Sequence, residues 1–249
     1  MILAIDAGNS RVKWGWHDGQ GWAAVATVSL IEFAASSDHV NPFSVTHADP
    51  EHIVISNVAG EGAHHLLVNW TSIFEAGPLW LRAEAERDGV RNRYERPEQL
   101  GSDRWAALIA ARALHAGPCR VVNAGPAPPV DMPSGEGVVL GGCILPGVEL
   151  MRFVLHEHTG RLPMSEGAYS DTPRNTLDAI ESGCRHAQAG AVERIYRVFR
   201  DVELNPLCIV SGGAGRTLVD QLSMPRRYVE NLVLDGLARI ALGLRAAPK

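Results

Sequence analysis

The first seventeen residues constrain the fold most, because they join two strand patterns through one short polar turn. Ile2–Asp6 is an apolar run that ends in a carboxylate, and Arg11–His17 alternates polar and apolar side chains after the turn. Asp6 therefore stands at a strand end, beside the backbone N–H groups of a Gly-Asn turn, where phosphates of a nucleotide and their Mg²⁺ could bind. The same residues also fit an ordinary β-hairpin, since Asp, Gly and Asn are common in turns.

Composition excludes several classes of protein. The chain has 249 residues, is 46% hydrophobic and carries a net charge of −5, which is typical of a globular protein with one or two domains. The basic residues form no stripe, so we expect no nucleic-acid partner. No apolar run approaches the ~20 residues that span a bilayer, and the N-terminus does not resemble a signal peptide. The sequence therefore predicts a cytoplasmic protein with no membrane partner.

The four cysteines are widely spaced and lie in apolar segments: Cys119, Cys143, Cys184 and Cys208. This distribution is typical of buried, reduced thiols rather than of disulfides or a zinc site. It agrees with the predicted cytoplasmic location.

Predicted strands and helices alternate along the chain, and the pattern begins twice. The first half is predicted to contain the strands Ile2–Asp6, Arg11–His17, Trp22–Leu30, His52–Ser56 and Pro78–Arg82 and the helices Gly62–Phe74 and Pro97 to about His115. The second half is predicted to contain the strands Cys119–Ala124, Val130–Met132, Gly137–Cys143 and Leu207–Ser211 and the helices Thr176–Arg200 and Leu232–Leu244. The repetition indicates a duplicated α/β fold, with one half over 1–116, the other over 117–249, and a cleft between them.

A second group of functional candidates lies where a predicted helix begins. Ser102 fits an N-cap, which places Asp103 and Arg104 in the first turn, where N–H groups and the helix dipole favour an anion. Arg104 could hold a carboxylate ligand, and Asp103 could accept the proton of a hydroxyl group. Charged first turns are common, so Asp103 could instead only complement the dipole, with Arg104 a solvated charge.

A glycine-rich segment over 121–151 repeats the arrangement of the first turn. Gly125 lies between a strand and Asp131, and the pairs Gly141-Gly142 and Pro146-Gly147 permit close approach of a backbone or a ligand. A hairpin followed by a helix cap explains the same residues without a ligand.

Two pairs of histidines suggest a third class of function, that of a metal-dependent hydrolase. The pairs are His64 with His65 and His156 with His158, and neither has the i, i+4 spacing of a helical zinc site. Surface or packing histidines explain them better. Strand packing likewise explains three tryptophans better than a base-stacking platform does: Trp14, Trp16 and Trp22.

Taken together, these segments resemble the type III pantothenate kinase family over nearly the whole chain. The resembling motifs are Asp6-Ala7-Gly8-Asn9-Ser10, Asn92-x-Tyr94, Leu100-Gly101-Ser102-Asp103-Arg104-Trp105, Leu140-Gly141-Gly142, Pro146-Gly147, Asn175-Thr176-x-x-Ala179-Ile180-x-Ser182-Gly183, Ser211-Gly212-Gly213-Ala214 and Asn231-x-x-x-Asp235-Gly236-Leu237. Each motif is weak alone, but their shared order and spacing make chance resemblance improbable. The resemblance implies an α/β fold of duplicated ribonuclease H-like domains, the actin-like ATPase fold that sugar kinases and Hsp70 share.

The resemblance also implies a reaction and a set of site residues. The implied reaction transfers a phosphoryl group from ATP to pantothenate, giving 4'-phosphopantothenate in the first step of coenzyme A synthesis. Asp103 would take the proton from the pantothenate hydroxyl, and the substrate would be held by Tyr94, Gly101, Ser102, Arg104 and Thr176. ATP would be held by Asp6, Ala7, Gly8, Asn9, Ser10, Arg11, Lys13, Gly125, Pro128, Gly212 and Gly213. Mg²⁺ would bind at Asp6 and a monovalent cation, K⁺ or NH₄⁺, at Asn123, in a homodimer with pantothenate near the subunit interface.

One loop departs from the family pattern. Where the family has Gly-Thr-Ala-Thr-Thr before a hydrophobic residue and Asp, this chain has Gly125-Pro126-Ala127-Pro128-Pro129-Val130-Asp131. Each proline removes a hydroxyl and a backbone donor, and Asn123 stands where many members have an acid. Two interpretations follow. Asp103 favours an active kinase, and the prolines favour a weak or inactive nucleotide- or pantothenate-binding relative with an accessory regulatory role.

Overall fold

The computed structural model describes residues 1–35, 49–164, 166–200 and 206–246. Its strands are β1 (Ile2–Ala7), β2 (Arg11–His17), β3 (Trp22–Ser29), β4 (His52–Asn57), β5 (Pro78–Trp80), β6 (Glu86–Arg87), β7 (Val90–Asn92), β8 (Cys119–Asn123), β9 (Pro129–Pro133), β10 (Val138–Ile144), β11 (Leu207–Ser211) and β12 (Arg226–Tyr228). Its α-helices are α1 (Leu30–Ala35), α2 (Glu61–Thr71), α3 (Ser102–Leu114), α4 (Val148–His158), α5 (Thr176–Arg200), α6 (Gly215–Gln221) and α7 (Leu232–Ala246), and a 3₁₀ turn spans Pro97–Gln99.

The chain packs as two compact units, Met1–Leu114 with Asn231–Lys249, and His115–Glu230. The first unit is built on a sheet with the strand order β3-β2-β1-β4-β5. β1, β2 and β3 are antiparallel neighbours, whereas β4 lies parallel to β1 and β5 parallel to β4. β6 and β7 form a short antiparallel pair in the same unit.

The two faces of β1 explain why this strand is almost wholly apolar. Leu3 and Ile5 pack into a core with Phe33 of α1 and Leu67 of α2. Side chains alternate along a strand, so Asp6 belongs to the opposite face, where α7 packs against β1 and β4. Burial on both faces requires apolar side chains at most positions, and a carboxylate in such a strand is exceptional.

The second unit repeats the topology of the first. β8, β9 and β10 are antiparallel neighbours, β11 lies parallel to β8, and β12 lies parallel to β11. The strand order β10-β9-β8-β11-β12 therefore matches β3-β2-β1-β4-β5 strand for strand. This match confirms the duplicated α/β fold that the repeated sequence pattern predicts.

The structure differs from the sequence prediction at several elements. The predicted helix from Pro97 to His115 is a 3₁₀ turn followed by α3, because the backbone at Leu100 is extended. The helices α1, α4 and α6 and the strands β6, β7 and β12 have no counterpart in the sequence prediction. Cys143 is exposed, contrary to the predicted burial of all four thiols, because it lies in the exposed C-terminal part of β10.

The predicted halves, 1–116 and 117–249, differ from the two units in the place of the last helix. α7 packs against α3, and a Cβ atom at Gly236 would come within 1.9 Å of the carbonyl oxygen of Ala106. Only glycine permits this close approach, which fixes α7 in the first unit. Within the described residues, no helix is both long and apolar enough to cross a membrane.

Candidate active site

The polar turn after β1 is a true hairpin. The N–H of Gly8 donates to the carbonyl oxygen of Arg11 at 2.9 Å, and the side chains of Asn9, Ser10 and Arg11 are exposed at its tip. In the sheet, Asp6 lies opposite Lys13 of β2 and beside Ser56 of β4. The hairpin interpretation and the functional interpretation are therefore compatible, since the turn leaves Asp6 on the face that also carries α7.

Of the carboxyl groups on this face, Asp6 has the most strongly shifted pKa. Its Oδ1 atom is shielded from solvent and accepts no hydrogen bond from the described residues. Burial and, secondarily, the negative charge of Asp103 raise the pKa of Asp6 to about 7, against a hydrogen bond from Ser56 and the charge of Lys13. A buried carboxylate oxygen without a partner, beside a second carboxylate, has the chemistry of a cation ligand.

The start of α3 is fixed to the sheet beside Asp6. The hydroxyl oxygens of Ser102 and Ser56 lie 2.9 Å apart in a buried hydrogen bond. The prediction that Ser102 is the N-cap is wrong, because Ser102 is already helical and the carbonyl oxygen of Gly101 accepts the first helical bond, from Trp105 at 2.9 Å. Ser102 thus anchors the helix laterally instead of capping it.

Asp103 is half-buried in the first turn of α3. Burial raises the pKa of Asp103, and the N–H group and charge of Arg104 oppose that shift. A Cβ atom at Gly101 would lie only 2.6 Å from Asp103 Oδ1, so glycine leaves the room that this carboxylate occupies. The result is a carboxyl group that binds a proton more readily than a solvated aspartate does.

Arg104 is buried, not the solvated charge of the alternative interpretation. One of its NH₂ groups donates to the hydroxyl oxygen of Tyr94 at 2.7 Å, and its guanidinium carbon lies 5.5 Å from the centre of the Tyr94 ring. Asn92 orders Tyr94, because its side chain accepts from the Tyr94 N–H at 3.0 Å and donates to the Pro97 carbonyl oxygen at 3.0 Å. The guanidinium is therefore held in place before any ligand binds.

In the second unit, Asn123 is the topological equivalent of Asp6. Asn123 lies beside Ser211 of the parallel strand β11, as Asp6 lies beside Ser56. The loops that follow β8 and β11 are in contact, since Ala124 donates to Ser211 at 2.7 Å and accepts from Ala214 at 3.1 Å. Gly212 has a φ of 91°, and a Cβ atom there would lie 2.5 Å from the Ala124 carbonyl oxygen.

The segment Gly125-Pro126-Ala127-Pro128-Pro129, here called the proline loop, is held through its carbonyl groups, which proline retains. The Pro126 oxygen accepts from Gly147 at 2.8 Å, and the Pro128 oxygen accepts from Leu145 at 2.9 Å. Gly147 is required for this contact, because a Cβ atom there would lie 2.5 Å from the carbonyl oxygen of Gly125. The loop is well braced but has few N–H groups to offer to phosphates.

Thr176 is exposed at the first turn of α5, where Asn175 caps the helix. The side chain of Asn175 accepts from the N–H of Asp178 at 2.9 Å, so the sequence Asn175-Thr176 marks a true helix start.

Ser56, which binds Ser102 and lies beside Asp6, was missed by sequence reasoning, because a single serine at a strand end gives no motif.

The histidine pairs do not form a metal centre. His156 Nδ1 lies 2.9 Å from the Leu162 carbonyl oxygen, and the His64 ring packs against Trp80 with centroids 4.1 Å apart. Among the described residues, no group of three His, Cys, Asp or Glu side chains could hold a metal ion. Trp14 and Trp16 are core residues, which confirms that they serve strand packing.

Comparison with known proteins gives a consistent result. The sequence profile of the type III pantothenate kinase family matches residues 2–198. A type III pantothenate kinase of Aromatoleum aromaticum is 48% identical over 241 residues, which cover 97% of this chain and 98% of the relative. The type III pantothenate kinase of Azoarcus sp. is 44% identical over 97% of this chain and 90% of its own length.

A solved structure supports the fold independently. A Sinorhizobium meliloti protein, described provisionally as a 2-dehydro-3-deoxygalactonokinase, superposes with a TM-score of 0.66 at 14% identity. The alignment covers 99% of this chain and all of that protein. At this identity the likeness concerns the fold alone, which is the duplicated actin-like and sugar-kinase-like architecture that the resemblance implies.

Proposed function

The chain belongs to the type III pantothenate kinase family, and from this membership we propose how its residues catalyse the reaction. The protein is a kinase that uses ATP to phosphorylate pantothenate to 4'-phosphopantothenate, the first step of coenzyme A synthesis. The observation that carries the proposal is the placement of two carboxyl groups close together, Asp6 at the end of β1 and Asp103 in the first turn of α3, whose neighbours Ser56 and Ser102 share a buried hydrogen bond of 2.9 Å.

Asp103 acts as the general base. The primary hydroxyl oxygen of pantothenate attacks the γ-phosphorus of ATP, its proton passes to Asp103, and ADP leaves with the electrons of the broken P–O bond. Phosphoryl transfer needs in-line positioning and charge neutralisation rather than covalent catalysis. The raised pKa of Asp103 supports this role, because a base is more effective when its pKa lies nearer the working pH.

Pantothenate is held by its carboxylate. Arg104, braced by Tyr94, offers planar donors to the carboxylate, and Gly101 leaves room beside Asp103. Ser102 contributes through its backbone and its position, since its hydroxyl already bonds to Ser56. Thr176 completes the substrate contacts.

ATP is held by the two glycine turns and the first hairpin. The hairpin residues Asp6, Ala7, Gly8, Asn9, Ser10, Arg11 and Lys13 bind the phosphates, together with Gly125 and Pro128. Gly212 and Gly213 lie on the adenosine side. The exposed tip of the hairpin and the contact between the loops after β8 and β11 support this assignment.

Asp6 fits Mg²⁺. It would hold the ion through Oδ1, which is buried without a hydrogen-bond partner among the described residues, and the bound ion would neutralise phosphate charge. At the predicted monovalent site, Asn123 offers a neutral side chain and a carbonyl oxygen that accepts one hydrogen bond, from the Gly125 N–H at 3.0 Å. Such an oxygen keeps a second lone pair, so Asn123 could supply neutral oxygen ligands to K⁺ or NH₄⁺.

We further propose that the protein is a cytoplasmic homodimer. The outer face of α4 and α5 exposes large apolar side chains, including Leu150, Phe153, Val154 and Leu177, around an apolar groove of about 610 Å³. Exposed apolar surface of this kind is typical of an interface. Thr176 lines the same groove, which supports a role for the dimer in pantothenate binding. The free cysteine thiols support a reducing compartment.

A coupled assay of ADP release from purified protein, with and without pantothenate, tests the function. We expect release that depends on pantothenate. The alternative, a weak or inactive binding relative, is favoured only by the proline loop, which has few phosphate donors. ADP release that does not respond to pantothenate, combined with pantothenate binding in calorimetry, would establish that alternative.

A further inference from the structure

An arginine and a tyrosine are stacked beside the glycine loop that follows β11. Tyr228 is the last residue of β12, and Arg216 lies in the first turn of α6. The guanidinium carbon of Arg216 lies over the Tyr228 ring, 4.5 Å from its centre. This distance is typical of a cation–π pair. Neither residue belongs to the family motifs or to the proposed contacts with ATP.

The Tyr228 ring is fixed against the glycine loop by three contacts. A Cβ atom at Gly215 would lie 2.9 Å from the ring, so glycine lets the ring lie directly on the start of α6. The Val229 N–H donates to the Val210 carbonyl oxygen at 2.8 Å, which holds the end of β12 to β11. The Tyr228 hydroxyl oxygen lies 3.5 Å from the Gly212 carbonyl oxygen. The ring is therefore a firm support at the loop proposed to bind adenosine.

Arg216 has one face on this support and the rest of its guanidinium in solvent. Its side chain is 68% exposed, and one NH₂ group lies 3.6 Å from a carboxylate oxygen of Glu230. An exposed ion pair of this length contributes little, so the tyrosine ring does most to orient the arginine. A guanidinium is planar and weakly hydrated, and its second face can stack on another flat ring.

The surface next to this face is open. A Cβ atom at Gly213 would meet no described atom within 4 Å beyond its chain neighbours. Gly213 and Arg216 are three residues apart, with Gly213 in the loop and Arg216 at the start of α6. A nucleoside whose ribose lies along the glycines would therefore bring its base towards the guanidinium.

We propose that Arg216 binds the base of the nucleotide, with the outer face of its guanidinium stacked on the adenine ring of ATP and Tyr228 as the support behind it. The inference rests on the proposed function, since it takes Gly212 and Gly213 as the adenosine side of the site. Arginine planes stack on nucleobases through dispersion and cation–π attraction. This contact depends on the base, whereas the contacts proposed for the first hairpin depend on the phosphates.

Arg216→Ala tests the contact through the affinity for nucleotide. We expect the KM for ATP and the Kd for Mg²⁺-ADP to rise about 5- to 10-fold, at the lower end of what one base-stacking contact contributes. The KM for pantothenate should not change, because Arg104 and Tyr94 make that contact in the first unit. Arg227→Ala is the matched control. It removes the same charge from an exposed neighbour whose side chain alternates to the other face of β12, and it should leave both constants unchanged.

Two further measurements separate stacking from simple attraction of phosphate by charge. Arg216→Lys keeps the charge but loses the planar group, so we expect it to bind ADP as weakly as Arg216→Ala does. Calorimetric titration with inorganic tripolyphosphate, which has no base, should give the same Kd for wild type and Arg216→Ala. Wild-type affinity for ADP in Arg216→Lys, or equal losses of ADP and tripolyphosphate binding in Arg216→Ala, would overturn the inference.

Binding and turnover distinguish this inference from the function on which it rests. If the wild type binds ADP through Arg216 but releases no ADP in response to pantothenate, the proposed reaction is wrong and the stacking contact stands. If turnover depends on pantothenate and Arg216→Ala matches the wild type in its KM for ATP, the reaction stands and the stacking contact is wrong. A wild type that binds no ADP would overturn both.

Discussion

At the residue scale, two aspartates with the same intrinsic chemistry lie in different environments, which suit the different tasks that we propose for them. Asp103 has a carboxyl pKa raised by burial and opposed by its neighbour Arg104, which suits a proton acceptor. Asp6 is more deeply shielded, has an oxygen without a partner and feels the charge of Asp103, which suits a group that meets a cation. The proposed difference in task follows from environment, since the two side chains are chemically identical.

Removing the proton acceptor should slow the chemical step. We expect Asp103→Asn to lower kcat by about 10²- to 10⁴-fold, the usual range for loss of a general base, with the KM for pantothenate little changed. Arg104→Ala should instead raise the KM for pantothenate more than it lowers kcat, because a carboxylate clamp contributes mainly uniform binding. ADP release measured over a range of pantothenate concentrations distinguishes the two, and wild-type turnover in Asp103→Asn would refute the assignment.

The raised pKa of Asp6 has a consequence for stability. The folded protein holds the Asp6 proton up to about pH 7, whereas the ordinary pKa of an aspartate is 3.8. Below pH 3.8 the Asp6 carboxyl group is protonated in both the folded and the unfolded protein. Between pH 3.8 and about 7 only the unfolded protein releases this proton, so the stabilisation that is present at low pH is lost as the pH rises towards 7. In EDTA we therefore expect Asp6→Asn to melt at a higher temperature than the wild type at pH 8. The difference should shrink towards pH 4, and a difference independent of pH would contradict the shift.

At the element scale, the packing of α7 against α3 joins the last residues of the described chain to the candidate site. α7 contacts β1 and β4 as well as α3, and its first turn carries Asp235. The close approach at Gly236 brings the α7 backbone to the carbonyl oxygen of Ala106. A change in this packing should therefore shift the start of α3, where Asp103 lies.

Two glycines of α7 provide a matched test of this packing. We expect Gly236→Ala to lower the free energy of unfolding by about 1–3 kcal/mol, because the methyl group would overlap the Ala106 carbonyl oxygen. Gly243→Ala, on the exposed side with its nearest atom at 3.8 Å, should stabilise the helix by about 0.5–1 kcal/mol. Denaturant unfolding of both variants gives the comparison, and equal effects would show that the close approach is not tight.

At the scale of the whole molecule, the fold is one topology used twice. Asp6 and Asn123 occupy equivalent positions in the two units, each beside a serine of the parallel neighbouring strand. Only the first unit retains an acid there, so the two copies offer a charged and a neutral version of the same strand end. The second unit adds the long helix α5 and the apolar face that it shares with α4.

The proposed dimer depends on that apolar face. We expect Phe153→Glu to convert the protein to a monomer in sedimentation or gel filtration, because a buried charge at an interface is not compensated. The KM for pantothenate should rise about 10-fold or more if Thr176 acts across the interface. Ile31→Glu, at a position 82% exposed in the first unit, is the control and should remain dimeric. A monomeric wild type would contradict the proposal directly.

The sequence by itself determined most of the strands and helices, the repetition of their order and the positions of the motifs. These features depend on short-range patterns: alternation in β2, three- and four-residue steps in α5, and turn residues after β1. The family resemblance followed from the same motifs in order. Local patterns gave a wrong prediction where a contact with a distant residue decided the structure. Ser102 is the example, because its hydroxyl bonds to Ser56 and does not cap its helix.

Only the tertiary structure decided which charges are buried and which residues meet. The raised pKa of Asp6, the burial of Arg104 against Tyr94 and the place of α7 in the first unit all depend on residues far apart in the chain. Trp22 and Asp235 are separated by 213 positions, yet their hydrogen bond is 2.7 Å long. Burial and electrostatic coupling arise from the packing of whole elements, and no pattern within a short segment contains that information.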